Sequence, residues 1–244
     1  MAVSINPRVA ELLGHDHHLP AVPRERLTPA ALRARFAQPP AWQPDIAVER
    51  WFKAPNPAPA AVLIPVVLRP EPTVLLTQRT AHLKKHAGQI SFPGGRCEPN
   101  DEGPIATALR EAHEEVGLAP ERVQVLGTLP TYTTGTGFVV TPVLGLIEAP
   151  PHGQHGLALE ADPGEVEEIF EVPLAFLMDP RHHQRRAFMV AGAEGSVEPS
   201  AIEFFAMPWR PAGRPASAYS EVGEYFIWGA TAAMLRNLYR FLSA

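Results

Sequence analysis

The amino-acid sequence predicts an α/β fold in which a mixed β-sheet lies between layers of helices. Two observations support this prediction: strand-like apolar runs occur both before and after one strongly patterned helix, and a second amphipathic helix closes the chain. The chain has 244 residues, of which 45% are hydrophobic, so it can bury a substantial core. One domain of generous size is the simplest arrangement, although two small domains also fit this length.

The first part of the chain predicts an N-terminal extension, because many of the 28 prolines precede residue 60. Such a composition is typical of short elements joined by stiff linkers. Thr28 followed by Pro29 suits the start of a short helix that ends near Phe36. We therefore divide the chain into an extension, residues 1–55, and a main domain, residues 56–244.

From residue 60 onward, the sequence predicts a succession of strands and helices. Residues 60–68 and 73–77 suit two strands of a hairpin, and residues 90–92 suit a short third strand. The later elements follow in chain order: a helix at 104–116, strands at 123–129 and 138–147, a mixed stretch at 165–170, a short helix at 174–178, a strand at 201–207 and a helix at 227–242. Trp228 falls on the apolar stripe of the last helix, which predicts a core position for its ring, with a substrate platform as the alternative.

The helix at 104–116 has the clearest local signals. Pro104 suits the first helical position, and Gly117 suits the residue that follows the last turn. Four apolar residues recur at helical spacing and form one stripe that should face the core. They are Ile105, Leu109, Ala112 and Val116.

Three glutamates, Glu111, Glu114 and Glu115, lie on another side of the same helix. Like charges at these spacings repel one another, whereas Mg²⁺ or Mn²⁺ prefers carboxylate oxygens and bridges to phosphate. Arg110 can orient a carboxylate through paired hydrogen bonds, with Glu102 or Glu114 as its expected partner. An ordinary solvated acidic face is the alternative, and the residues before the helix weigh against it.

Those preceding residues, Phe92-Pro93-Gly94-Gly95, end an apolar run with two glycines. Glycine lets the backbone pass close to a metal or a phosphate, and the Gly95 carbonyl can serve as a metal ligand. The glycine turn and the acidic helix together predict a divalent-metal site for diphosphate cleavage.

The helix and its glycine turn resemble the Nudix hydrolase motif, G-x5-E-x7-R-E-U-x-E-E-x-G-U, where U is a bulky apolar residue. The second half matches well, with Ala112 small for its apolar position, and Glu102 lies eight residues before Arg110 as the motif requires. Gly95 lies seven residues before Glu102 instead of six, as though the loop held one extra residue. This resemblance implies a Nudix-type α/β/α sandwich with a mixed β-sheet.

The preceding segment, residues 75–95, resembles the pattern L-L-T-x-R-(S/A)-x3-R-x3-G-x3-F-P-G-G of Nudix enzymes that hydrolyse coenzyme A. Thr80 replaces the small residue of that pattern, and Lys84 replaces its arginine, which keeps the charge but loses the planar fork. Recognition of the 3′-phosphate of coenzyme A would need a cation, and the candidates are Arg79, Lys84 and Lys85. A structural salt bridge is the alternative for Arg79, and a solvated surface is the alternative for the two lysines.

The resemblance also implies roles for the acidic site. Glu114 and Glu115 would be the principal metal ligands, Glu111 a ligand or the base, and the Gly95 carbonyl a further ligand, while Arg110 would hold the carboxylates in place. Nudix enzymes often take the catalytic base from a later loop, where Glu165 is our candidate. Glu167 and Glu168 compete with it because they are close in sequence.

The resemblance implies metal-dependent hydrolysis of coenzyme A to 4′-phosphopantetheine and adenosine 3′,5′-bisphosphate. A Nudix hydrolase of another nucleoside diphosphate derivative, such as ADP-ribose, and a non-catalytic ligand-binding module are the alternatives. The net charge of −5 without a long basic tract argues against a nucleic-acid partner, and no apolar stretch approaches the ~20 residues of a membrane span. A single cysteine and the absence of a secretory signal pattern predict a cytoplasmic protein. The sequence leaves both a monomer and a homodimer open.

Overall fold

The computed structural model of the protein describes residues 6–45, 56–83, 86–149, 157–190, 200–216 and 223–244. Within these ranges the helices are, in chain order, α1 (Pro29–Ala37), α2 (Pro104–Val116), α3 (Leu174–Leu177) and α4 (Gly229–Ser243). The strands are, in the same order, β1 (Glu11–His15), β2 (Ala58–Leu68), β3 (Thr73–Arg79), β4 (Ile90–Ser91), β5 (Gly94–Arg96), β6 (Val123–Thr128), β7 (Tyr132–Thr133), β8 (Phe138–Glu148), β9 (Val166–Pro173), β10 (Gln184–Val190), β11 (Ser200–Trp209) and β12 (Tyr225–Trp228).

A mixed sheet forms the centre of the fold. Its two longest strands, β2 and β8, run parallel, and the other neighbours in the order β4-β3-β2-β8-β6 are antiparallel. Strands β5, β7 and β9 pair with β2, β8 and β3, respectively. The predicted hairpin is present as β2 and β3, and the mixed stretch at 165–170 is mostly the strand β9.

Helices cover both faces of the central sheet. In β2, Ala61 and Leu63 pack with α2, whereas Ile64 and Val66 pack with the residues of α1, α3 and α4. This alternation follows the period of two along a strand, and both sets of side chains are apolar because both faces are buried. The predicted α/β/α sandwich is confirmed.

The two helices with predicted termini are also present. The hydroxyl of Thr28 accepts the N–H of Ala31 at 3.3 Å at the start of α1. Helix α2 begins at Pro104 and ends before Gly117, whose φ of 66° is favourable for glycine. Ile105, however, was wrongly predicted to face the core, because it lies in the first turn of α2 with 40% of its surface exposed.

A second, antiparallel sheet was not predicted as a unit. Its order is β1-β10-β11-β12, so a strand from the N-terminal extension joins strands from the last third of the chain. Residues 227–228 belong to β12, and α4 begins at Gly229, two residues later than predicted. The aromatic and β-branched run before Gly229 favours a strand. The core position predicted for Trp228 is wrong, because its ring is partly exposed at the end of this strand.

The N-terminal residues 6–45 pack against the rest of the protein. Val22, Leu27 and Leu32 lie in the same apolar core as α3 and α4. The division between residues 1–55 and 56–244 stays a prediction, since residues 46–55 lie outside the described ranges. Of the helices that the structure describes, none is long and apolar enough to cross a membrane.

Candidate active site

The acidic side chains of α2 lie beside the glycine turn that forms β5. The N–H of Gly94 donates a hydrogen bond to Oε2 of Glu115 at 3.2 Å. A Cβ atom on Gly95 would lie 2.5 Å from the carboxyl carbon of Glu111, and one on Gly94 would lie 2.5 Å from the carbonyl oxygen of Ala61. Only glycine lets the backbone pass so close to these groups. The structure therefore brings together the turn and two of the three predicted carboxylates.

Glu115 is a buried carboxyl group with little compensating charge. Its side chain is 6% exposed. Burial raises the pKa of Glu115 to about 8; Glu165 and Glu111 act in the same direction, while Arg79 and the N–H of Gly94 oppose it. Burial likewise raises the pKa of Glu111. A divalent cation would supply the missing positive charge and favour the ionised carboxylates.

Arg110 is fixed by contacts on both sides. Its Nε and Nη2 atoms donate to the two carboxylate oxygens of Asp101, each at 3.0 Å, and Nη1 contacts Glu111 at 3.0 Å and Glu114 at 2.9 Å. Hydrogen bonding by Arg110 holds the pKa of Asp101 well below its usual range. The predicted contact with Glu114 is present. The predicted partner Glu102 is wrong, because its side chain is exposed and the preceding residue, Asp101, takes that place.

Asp101 is the main site residue that the sequence reasoning missed. It lies six residues after Gly95, which is the glycine-to-acid spacing of the general Nudix motif, whereas Glu102 keeps the acid-to-arginine spacing. Because the loop has one extra residue, no single acid meets both spacings, and the two adjacent acids meet one each. The glycine-to-acid spacing was therefore the signal that could have identified Asp101.

A turn before β9 brings Glu165 to the acidic site. Oδ1 of Asp162 accepts the N–H of Gly164 at 2.8 Å, and the carbonyl of Glu165 accepts the N–H of Thr80 at 3.0 Å. The hydroxyl of Thr80 also donates to the carbonyl of Gly164 at 3.5 Å, so one of the two residues that depart from the coenzyme A pattern supports this turn. The carboxylate of Glu165 is near enough to contribute to the raised pKa of Glu115.

The two glutamates that compete with Glu165 lie in other surroundings. Glu168 accepts a hydrogen bond from the hydroxyl of Tyr225 at 2.5 Å and pairs with Arg214 at 2.7 Å. The side chain of Glu167 is exposed. Of the three, Glu165 is the one whose ion-pair partner, Arg79, also contacts Glu115 of α2.

Arg79 connects Glu165 to the helix. Its Nη2 atom lies 3.3 Å from Oε2 of Glu165, and its Nη1 atom lies 3.6 Å from Oε1 of Glu115. The salt bridge considered as an alternative for Arg79 is therefore present. Lys84 and Lys85, the other two candidates for phosphate recognition, lie outside the described residues.

The donor set fits a magnesium-type site more closely than a closed metal cage. Within the described ranges, no three acidic, histidine or cysteine side chains form a group that could hold a metal ion by themselves. Glu114 is turned toward Arg110 with 56% of its side chain exposed. Mg²⁺ usually takes one or two carboxylates and completes its shell with waters and substrate phosphates. Glu111 and Glu115, desolvated beside the Gly95 backbone, match that requirement.

The sandwich fold and this acidic helix define a Nudix-type hydrolase, and the comparisons with known proteins agree. The model of the NUDIX domain matches residues 57–191. The chain belongs to the NUDIX domain family. It is therefore a hydrolase of nucleoside diphosphate derivatives, in a family whose members use divalent metal ions.

Several relatives are similar over most of their length. A Salmonella dublin protein named "Uncharacterized Nudix hydrolase NudL" is 43% identical over 187 residues, which cover 76% of this chain and 83% of that protein. A protein of the same name from Salmonella newport is 44% identical over 184 residues, with coverages of 75% and 82%. A solved MutT/nudix family protein from Enterococcus faecalis is 16% identical, with a TM-score of 0.43, and the match covers 90% of this chain and 72% of that one.

Proposed function

We propose that this chain hydrolyses the pyrophosphate bond of coenzyme A or one of its derivatives, with Mg²⁺ or Mn²⁺ as cofactor. The products would be 4′-phosphopantetheine and adenosine 3′,5′-bisphosphate. One observation supports the proposal above others: two parts of the segment that resembles the coenzyme A pattern contact the acidic residues of the site. Arg79 contacts Glu115 and Glu165, and the glycines at the end of the segment lie against Glu111 and Glu115.

The acidic residues of α2 would serve as metal ligands in the proposed reaction. A bound divalent cation would neutralise the diphosphate oxygens and lower the pKa of a bound water. Glu111 and Glu115 would hold it through buried oxygens, with Glu114 and the Gly95 carbonyl as further ligands. Arg110 would keep Glu111 and Glu114 in place, since its own plane is fixed by Asp101.

Glu165 is proposed as the general base. Its side chain is 49% exposed, so it can take a proton from an attacking water and release that proton to solvent. Arg79 holds the Glu165 carboxylate toward α2 through their ion pair. The same guanidinium would contact a substrate phosphate when the diphosphate enters.

A substrate panel tests the proposal. The full chain is incubated with coenzyme A, dephospho-coenzyme A, ADP-ribose, NADH and nucleoside triphosphates in Mg²⁺ or Mn²⁺, and the products are identified by mass. We expect coenzyme A to have the highest kcat/KM and to give only the two products named above. A higher kcat/KM for ADP-ribose or another nucleotide would identify that compound, instead of coenzyme A, as the substrate. No turnover of any compound would favour a non-catalytic module.

Lys84 provides a sharper test of substrate choice. If its ammonium recognises the 3′-phosphate, Lys84→Ala should lower kcat/KM for coenzyme A and leave dephospho-coenzyme A, which lacks that phosphate, unchanged. Lys84→Arg is the matched control, because it restores the residue of the coenzyme A pattern and keeps the charge. Equal losses for both substrates in Lys84→Ala would contradict this role.

A further inference from the structure

The loop that carries Glu165 is attached to the C-terminal end of α2. The last carbonyl groups of a helix have no partners within the helix. The loop uses two of these carbonyls in α2: Glu115 accepts the N–H of Asp162 at 2.9 Å, and Val116 accepts the N–H of Glu160 at 3.1 Å. The loop is therefore bonded to the backbone of Glu115, whose carboxylate is the most buried of the three glutamates on the helix.

Gly117, the residue after the helix, leaves room for this attachment. A Cβ atom on Gly117 would lie 3.2 Å from the backbone nitrogen of Glu160 and 3.4 Å from its carbonyl oxygen. The φ of Gly117 is 66°, which also favours glycine. The glycine that ends the helix thus allows the loop to approach it closely.

Asp162 forms the turn that holds Glu165. Its Oδ1 atom accepts the N–H of Gly164 at 2.8 Å, and its carbonyl accepts the N–H groups of Glu165 at 3.1 Å and Val166 at 2.8 Å. An aspartate side chain that bonds the backbone two residues further on is a common way to form a turn. Because its own N–H donates to Glu115, Asp162 connects α2 directly to the backbone of Glu165.

The side chain of Asp162 contacts only this turn. The residue is exposed, and in the part of the chain that the structure describes, its carboxylate forms one hydrogen bond, the one with Gly164. A change of this side chain therefore alters the turn without removing a hydrogen-bonding partner from any acidic residue of the site.

We propose that Asp162 is a positioning residue, which fixes Glu165 relative to the metal ligands of α2. The inference rests on the proposed function, because it takes Glu165 as the general base. A base must lie within hydrogen-bond reach of the water that it deprotonates, and a displacement of ~1 Å can cost about 10²-fold in rate. Arg79 and Thr80 hold Glu165 from β3 and the residue after it, whereas Asp162 holds it from α2, where the metal ligands lie.

Asp162→Ala tests this role, because it removes the side-chain acceptor and keeps the three backbone hydrogen bonds of this residue. We expect kcat to fall about tenfold, the effect of one hydrogen bond, while KM and the Mg²⁺ concentration for half-maximal rate stay near their wild-type values. Asp162→Asn keeps an oxygen acceptor and should restore most of kcat.

Glu160→Ala is the matched control. It removes an exposed acid from the same loop, and the side chain of Glu160 forms no hydrogen bond with the residues that the structure describes. Its kcat should equal that of the wild type. An equal loss of kcat in Glu160→Ala and Asp162→Ala would mean that only the negative charge of the loop is important, which would overturn the role of the turn.

Amide hydrogen exchange tests the turn without any hydrolysis. In the full chain in EDTA, the N–H groups of Gly164, Glu165 and Val166 should exchange faster in Asp162→Ala than in the wild type. Asp162→Asn should keep the wild-type exchange rates. Thermal melting should give nearly the same midpoint for every variant, because the residue is exposed.

The outcomes separate this inference from the proposed function. Unchanged exchange in Asp162→Ala, an equal loss of kcat in Asp162→Asn, or a loss confined to KM or the metal dependence would overturn the positioning role. A normal kcat in Asp162→Ala beside an impaired Glu165→Gln would also overturn it. Normal kcat in both variants would refute Glu165 as the base, and the role of Asp162 with it. The expected losses with ADP-ribose, instead of coenzyme A, as the preferred substrate would refute the proposed substrate alone.

Discussion

Asp101 determines the orientation of Arg110, because both of its oxygens receive hydrogen bonds from the guanidinium. Asp101→Asn keeps the size of the side chain but replaces one acceptor oxygen by an N–H₂ group that faces Arg110. Residues that hold metal ligands in place by hydrogen bonds typically contribute about 10–100-fold to metal affinity or activity. We expect a loss of about that size in turnover for Asp101→Asn, measured as hydrolysis rate against Mg²⁺ concentration.

Glu102→Gln is the matched comparison, since Glu102 is the adjacent acid and its side chain is exposed. This variant removes the same formal charge but none of the hydrogen bonds to Arg110. Its metal dependence should stay close to that of the wild type. An equal or larger loss in Glu102→Gln than in Asp101→Asn would show that the glutamate, not the aspartate, supports the arginine.

Glu165 can be distinguished from a metal ligand by the form of its defect. As a general base, it should lose about 10²–10⁴ in kcat when changed to Gln, while the metal concentration for half-maximal rate changes little. Glu167→Gln is the control because that side chain is exposed and lies two residues away. A normal kcat in Glu165→Gln would mean that Glu111 or a neighbouring residue acts as the general base.

At the scale of elements, the two glycines of β5 have different neighbours. A Cβ on Gly94 would meet the backbone of Ala61 and Val62 at 2.5–2.6 Å, whereas the three atoms nearest to one on Gly95 all belong to the carboxylate of Glu111. Backbone cannot move away without disturbing the β2–β5 pairing, but a carboxylate at the end of a side chain can. We expect Gly94→Ala to lower the free energy of unfolding by more than 1 kcal/mol, roughly the penalty for a conformation incompatible with alanine.

Gly95→Ala should instead fold with nearly wild-type stability and lose most of its hydrolysis. The added methyl displaces the Glu111 carboxylate from the backbone, so at least tenfold weaker activation by Mg²⁺ or Mn²⁺ is expected, as for other disturbed metal sites. Urea unfolding and metal titration of activity measure the two effects separately. Full activity in Gly95→Ala would mean that the position of Glu111 beside this turn is unimportant.

Elements with local signals were predictable, and those that depend on distant pairing were not. Helix α2 carries its own first and last residues in Pro104 and Gly117, so its bounds followed from sequence. By contrast, β10 pairs with β1, about 170 residues earlier, and nothing in either segment identifies the other. The start of α4 was misplaced because residues 227–228 fit a helical stripe as well as a strand, and only pairing with β11 decides between them.

The candidate site shows the same division. The helix period placed Glu111 and Glu115 together, and family resemblance suggested Glu165, which the structure brings to the same side. Asp101 was missed because the choice between two adjacent acids depends on the path of a loop, which spacing along the chain does not fix.

At the scale of the whole molecule, the buried guanidinium of Arg236 binds the N-terminal extension to α4. Arg236 on α4 is 4% exposed and uses all three of its guanidinium nitrogens, which contact Asp16, Asp45 and His183 at 3.0, 2.7 and 3.1 Å. Two of these partners come from the N-terminal extension and the third from the residue before β10. Removing one partner of a buried charge is strongly destabilising. This cluster therefore holds the N-terminal extension and the residue before β10 against α4.

His183 makes the stability of this Arg236 cluster depend on pH. Its Nε2 atom lies 2.8 Å from the carbonyl of Leu177 and must donate to it, so Nδ1 accepts from Arg236 and the ring is neutral. Burial lowers the pKa of His183 from 6.5 to about 4. Between these values the unfolded chain binds a proton that the folded protein does not. The contribution of His183 to stability is therefore complete above pH 6.5 and is lost as the pH falls toward 4.

We expect the free energy of unfolding, measured with urea, to fall between pH 7 and pH 4.5 by up to roughly 3 kcal/mol through this residue. His183→Gln should reduce that slope, because a glutamine can donate to Leu177 and accept from Arg236 but does not titrate. His18→Gln, which changes an exposed histidine of the extension, should leave the slope unchanged. Identical slopes in His183→Gln and the wild type would mean that the buried imidazole does not link the N-terminal residues to pH.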